Sequence, residues 1–495
     1  MALIAGLGGA ARNGCVALRH DDFIIGVCEQ ERVTRVRGAG FNASGLPDEA
    51  LDELLRQAGR CRRDIVTCAV SEPAACGSGM PVTTFDRSFA QACGAFLPSP
   101  FEAATIVVCD RHEPGVTLWH GRGKTVTPAD WTWHGPGFAD LLSECAEAAG
   151  FFGVGREQRL EALARLDPDH CDERVTPLFA VDDDSLRLAP NWQERVADLM
   201  RGGERERVRV AAALQARIAD LLLQFLSRIP RAAGTAHLCV SGSLFANSSI
   251  NSRIRRAPLF ERVFIPVSPG SGAVAVGSAM QCVEPLRSSL SPFLGPAYSL
   301  EEIKAVLDNC KLNYQWVSPT DAVGLAVDDL RKGRLVGWFE GRMEWGPRAL
   351  GSRSILANPF SEYVLDNLNH FLKKRDRWRG FALSGLAPAV GQHFDGPETS
   401  NYMECDYMPR DRATFRHVLP GPAAAVRVQT VDQQSPPRFR ELLRAFGERA
   451  GIPILVNTSF NGFQEPIVCT PRDAIRVFFG TGIDTLVLDQ FVIRK

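Results

Sequence analysis

Short apolar runs separated by polar turns open the chain. ALIAGLGG, GCVALRHD and FIIGVCEQE, within residues 2–31, break at Gly8 and at His20–Asp22. This spacing predicts a meander of short strands. The period then lengthens: residues 48–57 predict a helix, 65–70 a strand, and ATIVVCD a strand that ends at Asp110. Residues 138–165 read as helical, a long amphipathic helix containing Gln215 is expected over 207–226, and HLCVSGSLFANSSINSRI, 237–254, reads as strand, Ser-Gly turn and helix. Residues 284–299 are rich in Pro and Ser and read as a linker, after which helices begin at Leu300 and Asp321. Strands and helices interleave throughout, so the fold class is α/β, divided into a domain over 1–299 and a second over 300–495.

A chain of 495 residues is too long for one ordinary core, and 45% hydrophobic with 23% charged residues is the balance of a soluble globular protein. The net charge of −1 gives no basic footprint for nucleic acid or an anionic membrane. Fourteen cysteines lie far apart without a CxxC pair, which predicts reduced thiols packed as small apolar residues in a cytoplasmic protein. No basic segment precedes the first apolar run, so no signal peptide is read, and no apolar stretch reaches the roughly 18–20 residues of a membrane span.

The densest chemistry lies in VGWFEGRMEWGPRALGSRSILANP, 336–359. Arg342, Glu344, Arg348 and Arg353 arrive in quick succession among Gly346, Pro347, Gly351 and Ser354. Gly-Pro excludes an ordinary amphipathic helix, so a strand followed by a rigid loop is expected to aim guanidinium groups inward. Such groups match phosphate and carboxylate in two-pronged hydrogen bonds, and glycine lets the backbone approach a ligand closely. The plainer alternative is a structural network joining Glu344 to one of the arginines.

Residues 341–359, GRMEWGPRALGSRSILANP, resemble the signature of the nodulation-protein and cephalosporin-type carbamoyltransferases nearly residue for residue. So do LNHFLKKRDRWRGFAL, 368–383, and PILVNTSFNGFQEPIV, 453–468; Lys373-x-Arg375 with Ser459-x-Asn461 also resembles the paired motifs of YrdC-type domains. The resemblance implies an actin/hexokinase-like (Kae-like) two-lobed N-terminal domain and a YrdC-like C-terminal domain. It implies ATP and Mg²⁺ as cofactors and carbamoyl phosphate with a small-molecule acceptor as substrates. Catalytic roles fall on Arg342, Arg348, Lys373 and Arg375, and nucleotide contacts on Arg353, Ser354, Asn457, Ser459, Asn461, Gly242, Ser243 and Asn247. Asn251 joins the last group, while Glu31, Arg32 and Arg35 would shape the acceptor side, a solvated charge cluster being the alternative.

The family's iron ligands do not carry over. An HxxxH pair, an aspartate and a second aspartate correspond here to Arg87, Gln91, Asp110 and Ser271, so the iron site is expected to be absent. His112 and His120 flank a hairpin and read as ordinary residues; Arg12 and Asn13 stand where the family has His-Asp, and of HVDGTAR only Arg427 remains. The expectation is an adenylating C-terminal half joined to a divergent acceptor half, which takes an amine or works with a partner subunit or homo-oligomer. A non-catalytic scaffold is the competing class, and tRNA modification a weaker third.

Overall fold

The computed structural model describes residues 2–71 and 79–495. The opening meander forms as β1 (Leu3–Gly8), β2 (Cys15–His20) and β3 (Phe23–Glu29), and is extended by β4 (Ile65–Val70) and β5 (Val82–Thr84). Their order is β3-β2-β1-β4-β5, with the meander antiparallel and β4 and β5 parallel to β1.

The same plan recurs. β6 (Ala103–Cys109), β7 (Val116–Arg122) and β8 (Thr125–Pro128) form a second meander; beyond the short hairpin β9 (Phe179–Val181) and β10 (Leu186–Leu188), β11 (His237–Ser241) and β12 (Arg262–Phe264) complete a sheet ordered β12-β11-β6-β7-β8. Again the first three strands are antiparallel, β11 is parallel to β6, and β12 to β11. Two lobes of one topology make this an actin/hexokinase-like fold. The helices that follow the last strand of each lobe, Arg87–Phe96 and Ser271–Gln281, pack on one another between the sheets. Glycine permits the approach: a Cβ on Gly94 would lie 2.0 Å from the carbonyl oxygen of Ala273, and one on Gly277 1.9 Å from that of Ala90.

The helix Glu204–Arg228, long and apolar enough by composition to cross a membrane, is 72% buried over its apolar window and forms part of the second lobe's core with Phe138, Leu160 and Phe179. Of the thirteen described cysteines all are free and ten are buried, as small core residues.

The remaining strands form one mixed ten-stranded sheet. They are β13 (Gln315–Trp316), β14 (Val336–Phe339), β15 (Arg353–Ala357), β16 (Ala382–Leu386), β17 (Phe394–Asp395), β18 (Asp406–Pro409), β19 (Val426–Val431), β20 (Ile454–Ser459), β21 (Thr485–Leu488) and β22 (Phe491–Arg494), ordered β13-β22-β21-β14-β15-β20-β16-β19-β18-β17. The helices Pro319–Arg331 and Pro437–Ala450 cover one face through Val327, Phe439 and Leu442.

Residues 284–299 are no loose tether. The carbonyl of Leu294 takes the N–H of Val27, Pro292 takes that of Trp345 (2.8 Å) and Pro296 that of Met343 (2.9 Å), so the segment is strapped to both halves. Introducing a methyl at the helix crossing should be costly: Gly277→Ala is expected to lose about 2–4 kcal/mol. Gly324→Ala, where a Cβ meets nothing within 4 Å, should gain roughly 0.5–1 kcal/mol; calorimetric melting of the two variants checks both signs.

Candidate active site

Lys373 and the β20 end meet directly. The Nζ of Lys373, 7% exposed, donates to the carbonyl of Ser459 at 2.6 Å, to that of Asn461 at 3.1 Å and to Asn461 Oδ1, while Ser459 Oγ donates to the same Oδ1 at 2.9 Å. Two sequence motifs about 90 residues apart thus form one constellation. Arg375 is held by Asn369 Oδ1 at 2.8 Å and lies over the Phe381 ring at 4.2 Å. Burial pushes the Lys373 ammonium well down, and the neighbouring Arg375 and Arg379 push it further. Burial, Arg379 and Arg427 lower Arg375 likewise. Neutral acceptors alone do not cancel this charge, so the group is set to welcome an anion.

The charge continues across the boundary between halves. Arg348 donates to the carbonyl of Ala246 at 3.2 Å, and burial followed by Arg427 pushes its guanidinium down, to about 9. Arg427 on β19 reaches Glu161 (3.4 Å) and Ser248 Oγ (3.1 Å); Arg165 reaches Glu161 (2.7 Å) and Asp406 on β18 (2.9 Å). Glu161 also accepts from the N–H and hydroxyl of Ser248, both at 2.8 Å. Burial opposes ionisation of both carboxylates, yet Arg165 and Arg427 hold Glu161 and Asp406 below the usual range. A cavity of about 40 Å³, room for one water, adjoins this cluster, lined in part by Gln215, Ser249, Ser252 and Asp406.

Other expected residues brace the scaffold. Arg353, fully buried on β15, gives its terminal nitrogens to the carbonyls of Glu340, Ser352, Pro296 and Gly341, with its guanidinium 3.6 Å from the Phe339 ring centre. Arg342 donates to Gly295, Leu294 and Ile25, fixing the strap. Glu344 pairs with backbone rather than with an arginine fork, Oε1 accepting from the N–H groups of Leu350 (2.6 Å), Ser352 and Arg353. Ser354 Oγ accepts from Gly351 N–H, and Asn457 joins Ser384 and Gln429 in a buried network. Arg32 and Arg35 are not a solvated cluster: Arg32, 4% exposed, donates to Gly346, and Arg35 to Pro466 and Ile467, so this segment clamps the first lobe to the C-terminal half.

In the second lobe, Gly242 turns at φ +103°, where a Cβ would lie 2.0 Å from the Cys109 oxygen. The first N–H groups of the helix Ser248–Arg256 are taken by Glu161 and by Asn247 Oδ1, which caps Ser249 and Ile250 while pairing with Gln215. Asn251 Nδ2 bonds the carbonyls of Phe245 and Glu404. Arg87 and Gln91, one turn apart, both face Asp110: Gln91 Nε2 donates to Oδ2, Arg87 Nη2 lies 3.5 Å from the same oxygen, and Oδ1 accepts from the N–H groups of Arg111 (2.9 Å) and Ser243 (3.3 Å).

Residues 187–280 match the family model described as the carbamoyltransferase N-terminus and 327–495 that of the carbamoyltransferase C-terminus. An uncharacterised protein of Synechocystis sp. is 32% identical over 471 residues, covering 84% of this chain and 76% of its own length. The chain belongs to the carbamoyltransferase family. A 3'-hydroxymethylcephem-O-carbamoyltransferase of Streptomyces clavuligerus is 30% identical over 68% of this chain, which spans 62% of that enzyme, less than two thirds. Among solved structures, the ADPNP-bound activator of 2-hydroxyisocaproyl-CoA dehydratase from Clostridium difficile matches with a TM-score of 0.38 at 15% identity, over 56% of this chain and 93% of the activator.

For a carbamoyltransferase, the residues around Asp110 are a poor fit to iron. A guanidinium has no lone pair to donate, the Gln91 amide presents its N–H₂, and among the described residues no three His, Cys, Asp or Glu side chains converge. Sequence reading missed Glu161, Arg165, Asp406 and the partners of Arg427. A charged residue amid the apolar face of LEALARL was the available signal for Glu161.

Removing one member of the boundary cluster leaves buried charge unpaired, so Glu161→Ala should cost roughly 3–5 kcal/mol. Because the folded carboxylates titrate below their unfolded values, their contribution is full above the ordinary carboxylate pKa and is lost as pH falls through the folded one. The fall in melting temperature from pH 7 to pH 3 should therefore be shallower in Asp406→Asn than in the parent chain.

Proposed function

We propose that this protein is an ATP-dependent carbamoyltransferase whose C-terminal half activates the carbamoyl group and whose two-lobed half delivers it to a small-molecule acceptor. The observation that carries this reading is the direct union of Lys373 with Ser459 and Asn461, beside Arg375 and Arg379, in a buried and under-neutralised positive field. Phosphoryl-type transfer depends chiefly on positioning and on stabilising developing negative charge.

In this reading carbamoyl phosphate and water give carbamate and phosphate. A carbamate oxygen attacks the α-phosphorus of ATP; the bond to the β-phosphate oxygen breaks and pyrophosphate leaves, yielding carbamoyl-adenylate. Mg²⁺ accompanies the nucleotide. Lys373 and Arg375 hold anionic oxygens, Ser459 and Asn461 orient the ammonium, and Arg348 and Arg427 extend the field to the lobe boundary. The acceptor then attacks the carbamoyl carbon, AMP leaves with the bonding pair, and the acceptor loses a proton to solvent. A nitrogen acceptor suits the chain, since an amine attacks without the activation that a hydroxyl of high pKa requires. Arg342, Arg353, Ser354, Asn457, Gly242, Ser243 and Asn247 serve as the frame that sets these distances.

The second reading, a non-catalytic homologue that binds nucleotide or another subunit, is favoured by one observation, the Arg87 and Gln91 side chains turned onto Asp110. Incubation with ATP, Mg²⁺ and carbamoyl phosphate, without acceptor, decides between them. Pyrophosphate release is expected, falling by about 10³-fold or more in Lys373→Ala and persisting in Asp110→Ala. No release from the parent chain would favour the non-catalytic reading.

A further inference from the structure

The three side chains that meet at the end of β6 form a finished electrostatic unit. Asp110 is 7% exposed and its carboxylate is fully engaged: the guanidinium of Arg87 and the amide of Gln91 on one oxygen, the N–H groups of Arg111 and Ser243 on the other. Burial raises the carboxyl, and Arg87 with these hydrogen bonds more than reverses that. Arg87 and Gln91 stand at i and i+4 on a helix fixed by the Gly94 and Gly277 crossing, and Asp86 caps that helix through Phe89 N–H. The position of the cation is therefore set by the rigid contact between lobes, not by a mobile loop.

A divalent ion bound by Asp110 would have to displace the guanidinium and sit beside its positive charge. We infer that Arg87 is the resident cation of this lobe, a covalently attached positive charge that takes the place of a metal at Asp110 and faces the oxygen atoms of the carbamoyl group delivered there. The second half of that statement rests on the proposed carbamoyl transfer; the first half does not. Such a charge is not removed by chelation and does not change with oxidation, so the lobe needs no metal supply or reducing environment. It also neutralises Asp110 without the exchangeable ligand positions that let a metal bind and activate a hydroxyl, consistent with a more nucleophilic acceptor.

The test reads metal binding on the whole chain without substrates, so it stands or falls separately from the adenylation assay. The parent protein and Arg87→His/Gln91→His/Ser271→Asp are dialysed anaerobically against Fe²⁺ and, in parallel, Zn²⁺, and bound metal is measured by mass spectrometry. The parent should hold fewer than about 0.1 ion per chain and the folded variant about one. Arg87→His/Gln91→His, which leaves Ser271 in place, provides the same readout through two imidazoles and Asp110 if the triple variant fails to fold. Stoichiometric metal in the parent, or a folded histidine pair that binds none, would overturn the inference.

Discussion

Five cations gathered in a low-dielectric boundary repel one another, and only a geometry held from outside can keep them there. Lys373, Arg375, Arg379, Arg427 and Arg348 form such a group, each lowered first by burial, and each with a neighbouring cation among the causes that push it further. Glu161 and Asp406 counter Arg165 and Arg427 at the second lobe, while the hydrogen bonds of Lys373 go to neutral oxygens. Stability is therefore given up locally at a place that a polyanion could neutralise, a common cost of functional sites.

The rest of the architecture makes that arrangement possible. β18 and β19 of the ten-stranded sheet carry Asp406 and Arg427 to the helix Arg156–Ala164 and to Ser248 of the second lobe. On the other side, Arg32 and Arg35 clamp the first lobe to Gly346 and to Pro466–Ile467, and Arg342 ties the strap of 284–299 against both. The bonds of Arg32 and Arg342 across the halves end on backbone carbonyls, while Arg35 is held also by Asp473 at 3.5 Å. The fold thus holds its halves together with arginines, some on carbonyls and some, as in Arg165–Asp406 and Arg427–Glu161, on carboxylates.

Much of this is legible in the chain, for reasons that differ by residue. The three-strand meander, the helix over 48–57 and the strand over 65–70 follow from apolar period and turn residues, and form with those bounds. Lys373, Ser459 and Asn461 stand out because their types and spacing are specific, and the structure unites them. Arg353 and Arg342 show the limit: sequence reveals a guanidinium beside glycines but not that its donors are spent on backbone carbonyls. Nor does it show residues 284–299 as a strap, since Pro and Ser mark irregular backbone without saying what the backbone touches. Glu161 lies far along the chain from Asp406 and Arg427, and nothing local pairs it with them. The meeting of Arg87, Gln91 and Asp110 is legible in part, through helical i and i+4 spacing; that the guanidinium is turned onto the carboxylate is visible only in three dimensions.

The most direct test of the central claim, that the cation group at Lys373 forms and holds an adenylate, is ATP–pyrophosphate exchange with labelled pyrophosphate. The account predicts label entering ATP only when carbamoyl phosphate is present, because exchange requires a reversible adenylate on the protein. Exchange that is absent under these conditions, or that proceeds equally without carbamoyl phosphate, would contradict it.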